Sequence, residues 1–380
     1  MEKRTEVLVI GGGPVGACSA YSLARAGARV TLIEKETEVC PPTSGAHANC
    51  GLIVPSDSLP LATPGVLGRG VRWMLDSSSP FYIAPRLSPA LAHWLWLFRA
   101  ACSGERAQAA MPVLRALHVA STALHDELGR THRDAWLYRQ NGVVQVYETP
   151  AGMEEAGAEA EQARALGARA EELSAAAVRE RFPGVSGDLA GGFFFPEDGH
   201  LDPLLFTREM AGSAAAAGAW TPALARGLGL HLPIEPAKGY SVDVARPAGF
   251  PELPFYLGEA RVVMTPLGEK LRLGSTLELS GWDMRIRRKR VAHLRRGGQR
   301  MLGIPDDGPV EQIWRGPRPV TPDGLPVIGR VPCCGNVILA TGHCMLGLSL
   351  GPITGKLVAE LAGGQRPSLD LTPLSPARFG

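Results

Sequence analysis

The stretch Glu6 to Lys35, EVLVIGGGPVGACSAYSLARAGARVTLIEK, restricts what this chain can fold into more than any other. Val7, Leu8, Val9 and Ile10 are an unbroken apolar run, which predicts a parallel strand buried on both faces. Gly11-Gly12-Gly13-Pro14-Val15-Gly16 follows at once and sets glycines at the positions of G-x-G-x-x-G. Gly11 permits the tight turn, Gly13 lets the backbone approach a pyrophosphate, and Gly16 lets the next helix lie close on the strand. The helix then offers its N–H groups and positive dipole end to the phosphates. Arg29 to Ile33 reads as the second strand, and Glu34, followed by Lys35, stands at its end, where a carboxylate bonds ribose hydroxyls. A 2′-phosphate would want the opposite charge, so the unit predicts a dinucleotide with a free ribose. It leaves NAD and FAD both open.

With 380 residues the chain is long enough for two domains. Its 39 basic and 37 acidic side chains nearly cancel, which removes the electrostatic case for nucleic acid. The seven cysteines form no C-x-x-C pair, so neither a disulfide framework nor a metal site is expected, and a reducing, cytoplasmic setting fits. Glu2-Lys3-Arg4 leads directly into the first strand and does not read as a signal peptide. The most apolar stretch, Val337 to Leu350, is interrupted by Thr341, Gly342, His343 and Gly347, so no transmembrane segment is expected.

Along the chain, Cys40 to Gly51 is a loop of small and polar residues whose position suits contacts to a cofactor's phosphates and sugar chain. Leu67 to Leu75 reads as a short helix in a proline-rich stretch, and Ser88-Pro89 caps a helix carrying Leu91, Trp94, Leu95 and Phe98, with Trp94 and Trp96 expected in the core. Met111 to Leu128 and Ala151 to Phe182 read as helices, as does Leu204 to Ala217. Strands are expected at 142–147, 193–195, 238–242, 261–265 and 271–279, the last with the alternation of an antiparallel sheet. The basic run Arg285 to Arg300 reads as the solvated face of a helix. Near the C-terminus Val337 to Ala340 is a strand, Thr341-Gly342-His343 a small-residue turn, and the glycine-punctuated stretch to Gly355 a helix, an arrangement that can hold backbone N–H groups against a flat ring.

Taken together, GGGPVG with Glu34, TSGAHANCG, PLATPG, SPFYIAPR, HLDP, PAKGYS, LRLGSTLELSG, RPVTPDGLPVIG, TGHCMLGLSLGPITG and the final SPARF resemble the D-amino-acid oxidase and dehydrogenase superfamily of FAD enzymes, most nearly its bacterial D-amino-acid dehydrogenases. The resemblance implies an α/β chain with a discontinuous, Rossmann-like FAD domain at 1–86, 187–236 and 312–380, and a mainly antiparallel α+β substrate domain at 87–186 and 237–311. It implies non-covalent FAD, because Cys333, Cys334 and Cys344 lack the context of a flavin-attachment motif. Gly11, Gly12, Gly13, Pro14, Val15 and Gly16 would hold the pyrophosphate, and Glu34 and Lys35 the adenosine end. Ser44, Asn49 and Gly51 would line the flavin chain, and Gly342, His343, Met345, Leu346 and Gly347 would border the ring system. The implied reaction converts D-amino acids to 2-oxo acids and ammonia, with electrons passing to a quinone or oxygen; quinone reduction would bring the protein to the inner membrane face peripherally. Arg318 is the expected carboxylate clamp, since a planar permanent cation suits that partner, and Tyr240 could add a phenolic hydrogen bond. A glycine-, sarcosine- or hydroxyproline-oxidising enzyme would use the same residues.

The chain departs from this pattern in one place. Around Ala214 to Pro222 two small-residue turns of the family, G-A and G-A-W, are fused near Ala219, which predicts an internal deletion of several strands of the FAD domain. The deletion motivates the opposing expectation, an inactive flavoprotein-like scaffold.

Overall fold

The computed structural model describes residues 5–66, 81–132, 134–212, 225–227, 229–305, 307–332 and 334–379, apart from the Ser275 side chain. The helix expected at Leu67 to Leu75 and the fused junction at Ala214 to Pro222 lie outside the described residues.

The opening residues form the expected unit: β1 (Glu6–Ile10), α1 (Pro14–Arg25) and β2 (Arg29–Ile33), with β1 and β2 parallel. Then come β3 (Leu52–Ile53), β4 (Phe81–Ile83), α2 (Pro89–Ala101), α3 (Gly104–His132), β5 (Val143–Tyr147), α4 (Pro150–Ala165), β6 (Glu171–Ser174), α5 (Ala175–Arg181), β7 (Gly191–Phe195), β8 (Gly199–His200) and α6 (Pro203–Ala211). The second half holds β9 (Glu235–Ala245), β10 (Phe255–Leu257), β11 (Val262–Leu267), β12 (Lys270–Leu279), α7 (Arg288–Leu302), β13 (Gln312–Val320), β14 (Val327–Val331), β15 (Cys334–Thr341) and α8 (Gly351–Ala362).

A large sheet runs β13-β9-β12-β11-β10-β5-β7-β6, with β4 beside β12. It is antiparallel except at β10–β5 and β12–β4. Because side chains alternate across a strand, each face has its own role. Val242, Val244, Val262, Met264, Leu271 and Leu273 face α7 and form a core with its Leu294 and Met301. The opposite face carries Asp243, Thr265 and Arg272, which reach the loop after β2: Thr265 Oγ1 donates to the Cys50 carbonyl at 2.7 Å and Arg272 Nη1 to that of Asn49 at 3.0 Å. The sheet thus acts as a roof above the βαβ unit. It draws β7 and β13 from beyond the expected domain boundaries at 187 and 312, so those boundaries do not coincide with the sheet's edge.

Beneath this roof, α1 and α8 pack side by side. Gly351 and Gly355 of α8 meet Cys18 of α1, and a Cβ on Gly355 would fall on the Cys18 carbonyl. The two helices therefore approach nearly to backbone contact.

Several local expectations are corrected. β1 is not buried on both faces: Leu8, Ile10 and Ile33 are exposed, because among the described residues β1 and β2 pair only with each other. The helix expected over 151–182 ends at Ala165; Gly167, at φ +81°, turns the chain into β6 before α5 begins. The helix expected directly after His343 begins only at Gly351, because Gly342 and Cys344 both have positive φ. Trp94 is core, while Trp96, two positions on and across the helix, is exposed. The basic run is largely the outer face of α7, but Arg290 within it is buried. Ser88 caps α2 as expected, accepting from Leu91 N. Among the described residues no cysteine is in a disulfide, and no helix is long and apolar enough to cross a membrane.

Gly355→Ala is expected to destabilise the fold by about 2 kcal/mol, because the added methyl meets backbone that cannot give way. Gly157→Ala in α4, whose nearest neighbour would be Phe193 Cζ at 3.8 Å, should be neutral or slightly stabilising. Urea unfolding of the two variants checks the contrast.

Candidate functional site

An elongated cavity of about 390 Å³ lies where the βαβ turn, the loop after β2, the end of β13 and the turn before α8 converge. At one end its walls are Ile10, Ile33, Glu34 and Lys35; its middle is Gly11, Gly13, Pro14 and Val15; its far end is Arg318, Gly342, His343, Met345 and Gly347.

The middle is built as an anion cradle. Gly11, at φ +103°, reverses the chain, and its N–H donates to the Ile33 carbonyl at 2.6 Å, closing the turn on β2. α1 starts with Pro14 at N1, and its N-cap is Gly13, so no side chain covers the first-turn N–H groups. Space in front of Gly13 is open, since an added Cβ would meet nothing within 4 Å. These uncapped donors fit a pyrophosphate. Glu34 is fixed at the end of β2 by accepting from Gly12 N–H and, at 2.8 Å, from Lys35 N–H.

The far end is held by two ties from the roof. Cys344 N–H donates to the Pro319 carbonyl at 3.0 Å, and Val320 bridges His343, so the end of β13 is fastened to the turn before α8. Arg318, paired with Ala237 of β9, extends its guanidinium over Gly239; a Cβ on Gly239 would overlap it. Nη1 donates to the Thr276 carbonyl at 2.8 Å, while Nε has no partner. Burial pushes the Arg318 pKa below its ordinary value, and the one opposing influence is the Cys50 thiol, whose own pKa burial raises to about 11. Among the described residues no carboxylate is bonded to this buried cation, whose charge is left uncompensated.

His343 is buried and its pKa is pushed down to about 3 by burial. Its Nε2 lies 2.9 Å from Thr354 Oγ1, which also reaches the Leu350 carbonyl at 2.8 Å, and the ring is bonded to the Thr341 backbone as well. It fixes the turn to α8. Cys344, with its thiol pushed up to about 11 by burial, bonds the Gly342 carbonyl and Thr321.

Of the residues singled out from sequence, Gly11, Gly13, Pro14, Val15, Glu34, Lys35, Ser44, Asn49, Gly342, His343, Met345, Gly347 and Arg318 line this one cavity. Gly12, Gly16, Gly51 and Leu346 stand behind it as framework; at Gly51, φ +73° and the Leu201 carbonyl exclude any side chain. Tyr240 is not brought to Arg318. It occupies the α7-facing side of β9, where its hydroxyl donates to Glu278 Oε2 at 2.9 Å in a buried network with Lys238 and Arg287. Sequence reading missed Gly45, which lies against the Pro317 carbonyl with no room for a Cβ, and the buried pair Arg272–Asp243 at 2.7 Å. The string Thr43-Ser44-Gly45 was the available signal for the first; the second has none, since its partners belong to no motif.

Comparison with known proteins identifies the family. The family model described as FAD dependent oxidoreductase (DAO) matches residues 6–219 and 215–361. A D-amino acid dehydrogenase of Paramagnetospirillum magneticum is 34% identical over 423 aligned positions, covering 98% of this chain and 99% of that protein. One from Methylobacterium radiotolerans is 32% identical over 428 positions with the same coverage. Among solved structures, glycine oxidase from Geobacillus kaustophilus has a TM-score of 0.78 at 22% identity, covering 99% of both chains. L-proline dehydrogenase from P. horikoshii has a TM-score of 0.75 at 17% identity, covering 100% of this chain and 98% of that one. Both alignments to the dehydrogenases are longer than the chain's 380 residues, so these relatives carry residues that this chain lacks, and the family model matches in two stretches that overlap at 215–219.

His343 should remain neutral in the folded chain to about pH 3, whereas unfolded it takes up a proton near 6.5. Between those values the unfolded state holds the extra proton, so His343's contribution is complete above pH 6.5 and is lost on acidification, by up to about 1.4 kcal/mol per pH unit. Urea unfolding between pH 7 and 5 should show a correspondingly shallower pH dependence in His343→Gln.

Proposed function

The chain belongs to the DAO family of FAD-dependent oxidoreductases, and within it we propose oxidation of the Cα–N bond of D-amino acids, the imino acid being hydrolysed by water to a 2-oxo acid and ammonia. The observation that carries this reading is Arg318, a buried arginine on the cavity wall whose Nε has no partner.

The residues at hand suit FAD. The uncapped start of α1 would hold its pyrophosphate and Glu34 its ribose, while Ser44, Asn49 and the turn Gly342–Gly347 would flank the flavin. Non-covalent binding is supported by Cys344, whose thiol is buried, hydrogen-bonded and poorly ionised. When bound, FAD supplies the hydride acceptor. The chain's task is then to present Cα–H at a fixed angle with the amine neutral. Arg318 would take the substrate carboxylate through a planar fork, held in orientation by the Thr276 carbonyl. Its charge would also lower the amine's pKa: Glu34, the one carboxylate among the described residues lining the cavity, is at the opposite end, so nothing at the Arg318 end favours an ammonium. The acceptor would be a quinone or oxygen, and the dehydrogenase names of the relatives weigh against oxygen.

The test is to load the purified chain with FAD and add D-alanine or D-proline without oxygen. Loss of the yellow colour is expected. Bleaching by glycine or sarcosine alone would move the substrate class, and no bleaching by any amine would return the chain to a scaffold. Arg318→Lys should retain flavin while losing about 2 kcal/mol of carboxylate binding, on the order of thirtyfold in KM. An unchanged KM would assign the carboxylate to another group.

A further inference from the structure

We infer that this chain grips a flavin by its ring and first phosphate and leaves the adenosine half on an open wall, so that FMN and FAD bind with similar affinity. The inference rests on the FAD reading above and concerns how that same cavity divides its grip.

The two ends of the cavity differ sharply in enclosure. Around the Arg318 end, Thr341, His343, Cys344 and Leu348 are buried, and Met345 is the one large apolar side chain there that is exposed, at 43%. At the Glu34 end the walls are Ile10 and Ile33, 49% and 48% exposed, and Lys35, whose side chain is 51% exposed. The open surface continues past the cavity to Leu8, 55% exposed on the same strand. Such a wall can cover little of a flat heteroaromatic ring from water. Nor does it offer a stacking partner: among the described cavity-lining residues the only aromatic side chain is His343, at the other end. Glu34, fixed by one backbone N–H on each oxygen, can reach a ribose but offers nothing to the adenine ring.

The reason is visible in the sheet and in the relatives. β1 and β2 pair only with each other among the described residues, and the dehydrogenases, aligned over more positions than this chain has, carry residues that it lacks. FMN would still present its ring to the enclosed end and its phosphate dianion to the N-terminus of α1. What it lacks, relative to FAD, is the half that meets the open wall.

Titration of the flavin-free full chain with FAD and with FMN, followed by quenching of flavin fluorescence, tests this without any turnover. Dissociation constants within about tenfold of each other are expected. FAD binding more than about tenfold tighter overturns the inference and leaves the oxidoreductase reading standing; binding of neither flavin overturns both. In Ile33→Trp, the indole adds a stacking surface at the open wall, so preference for FAD over FMN should rise about fivefold with the fold intact by circular dichroism. An unchanged preference in that folded variant overturns the assignment of adenosine to this wall.

Discussion

The cavity depends on the close approach of α1 and α8. The glycine turn before α1 and the Gly342–Leu350 turn before α8 belong to opposite ends of the chain, and each is positioned by the helix that follows it. Gly355 and Gly351 let those helices meet nearly backbone to backbone at Cys18. With a larger residue between them, the two turns would separate and the cavity's middle and far end would no longer share one space. The His343–Thr354 hydrogen bond and the Cys344–Pro319 tie then lock the second turn to α8 and to the roof.

How much of this was legible depends on how local the signal was. The βαβ unit announces itself because strand, turn, helix and acid fall within a few turns of chain, each with its own residue chemistry. The turn Thr341–Gly347 was legible as a place, though not as a conformation, since the left-handed φ of Cys344 leaves no mark in composition. What was not legible is long-range: Thr265 to Cys50, Arg272 to Asn49, Gly45 against Pro317. Each joins residues more than two hundred positions apart, and periodicity within a strand says nothing about which distant loop its outer face will meet. The exposure of Leu8 and Ile10 was hidden for a related reason. An apolar run predicts burial, while the cover has to come from elsewhere in the chain.

Tyr240 shows how one residue of parity reassigns a side chain. Gly239 and Tyr240 are neighbours, and both adjoin the site in sequence, yet strand pleating sends them to opposite faces of β9. Gly239 lies under the Arg318 guanidinium; Tyr240 joins Lys238, Glu278 and Arg287 beneath α7. Glycine is the informative residue of the pair, because its missing side chain is the room that the guanidinium occupies.

The bulge in β12 links these two faces. Pairing with β9 shifts between Ser275 and Glu278, and Thr276 sits there at φ +70°, costly for a β-branched residue. The shift moves Glu278 to the α7 side, where it neutralises Lys238 and Arg287, and turns the Thr276 carbonyl toward Arg318. Lys238 and Arg287 on the α7 side are therefore paired within the fold, as is Arg272 with Asp243 on the cavity side, whereas among the described residues Arg318 receives only the Thr276 carbonyl dipole. A carbonyl fixes the plane of a guanidinium without cancelling its charge, so orientation is supplied by the chain and neutralisation is left to a ligand. Had Glu278 kept the regular register, it would face the cavity and take Arg318 as its own partner. The strained residue is thus what keeps the Glu278 carboxylate on the α7 side and away from Arg318.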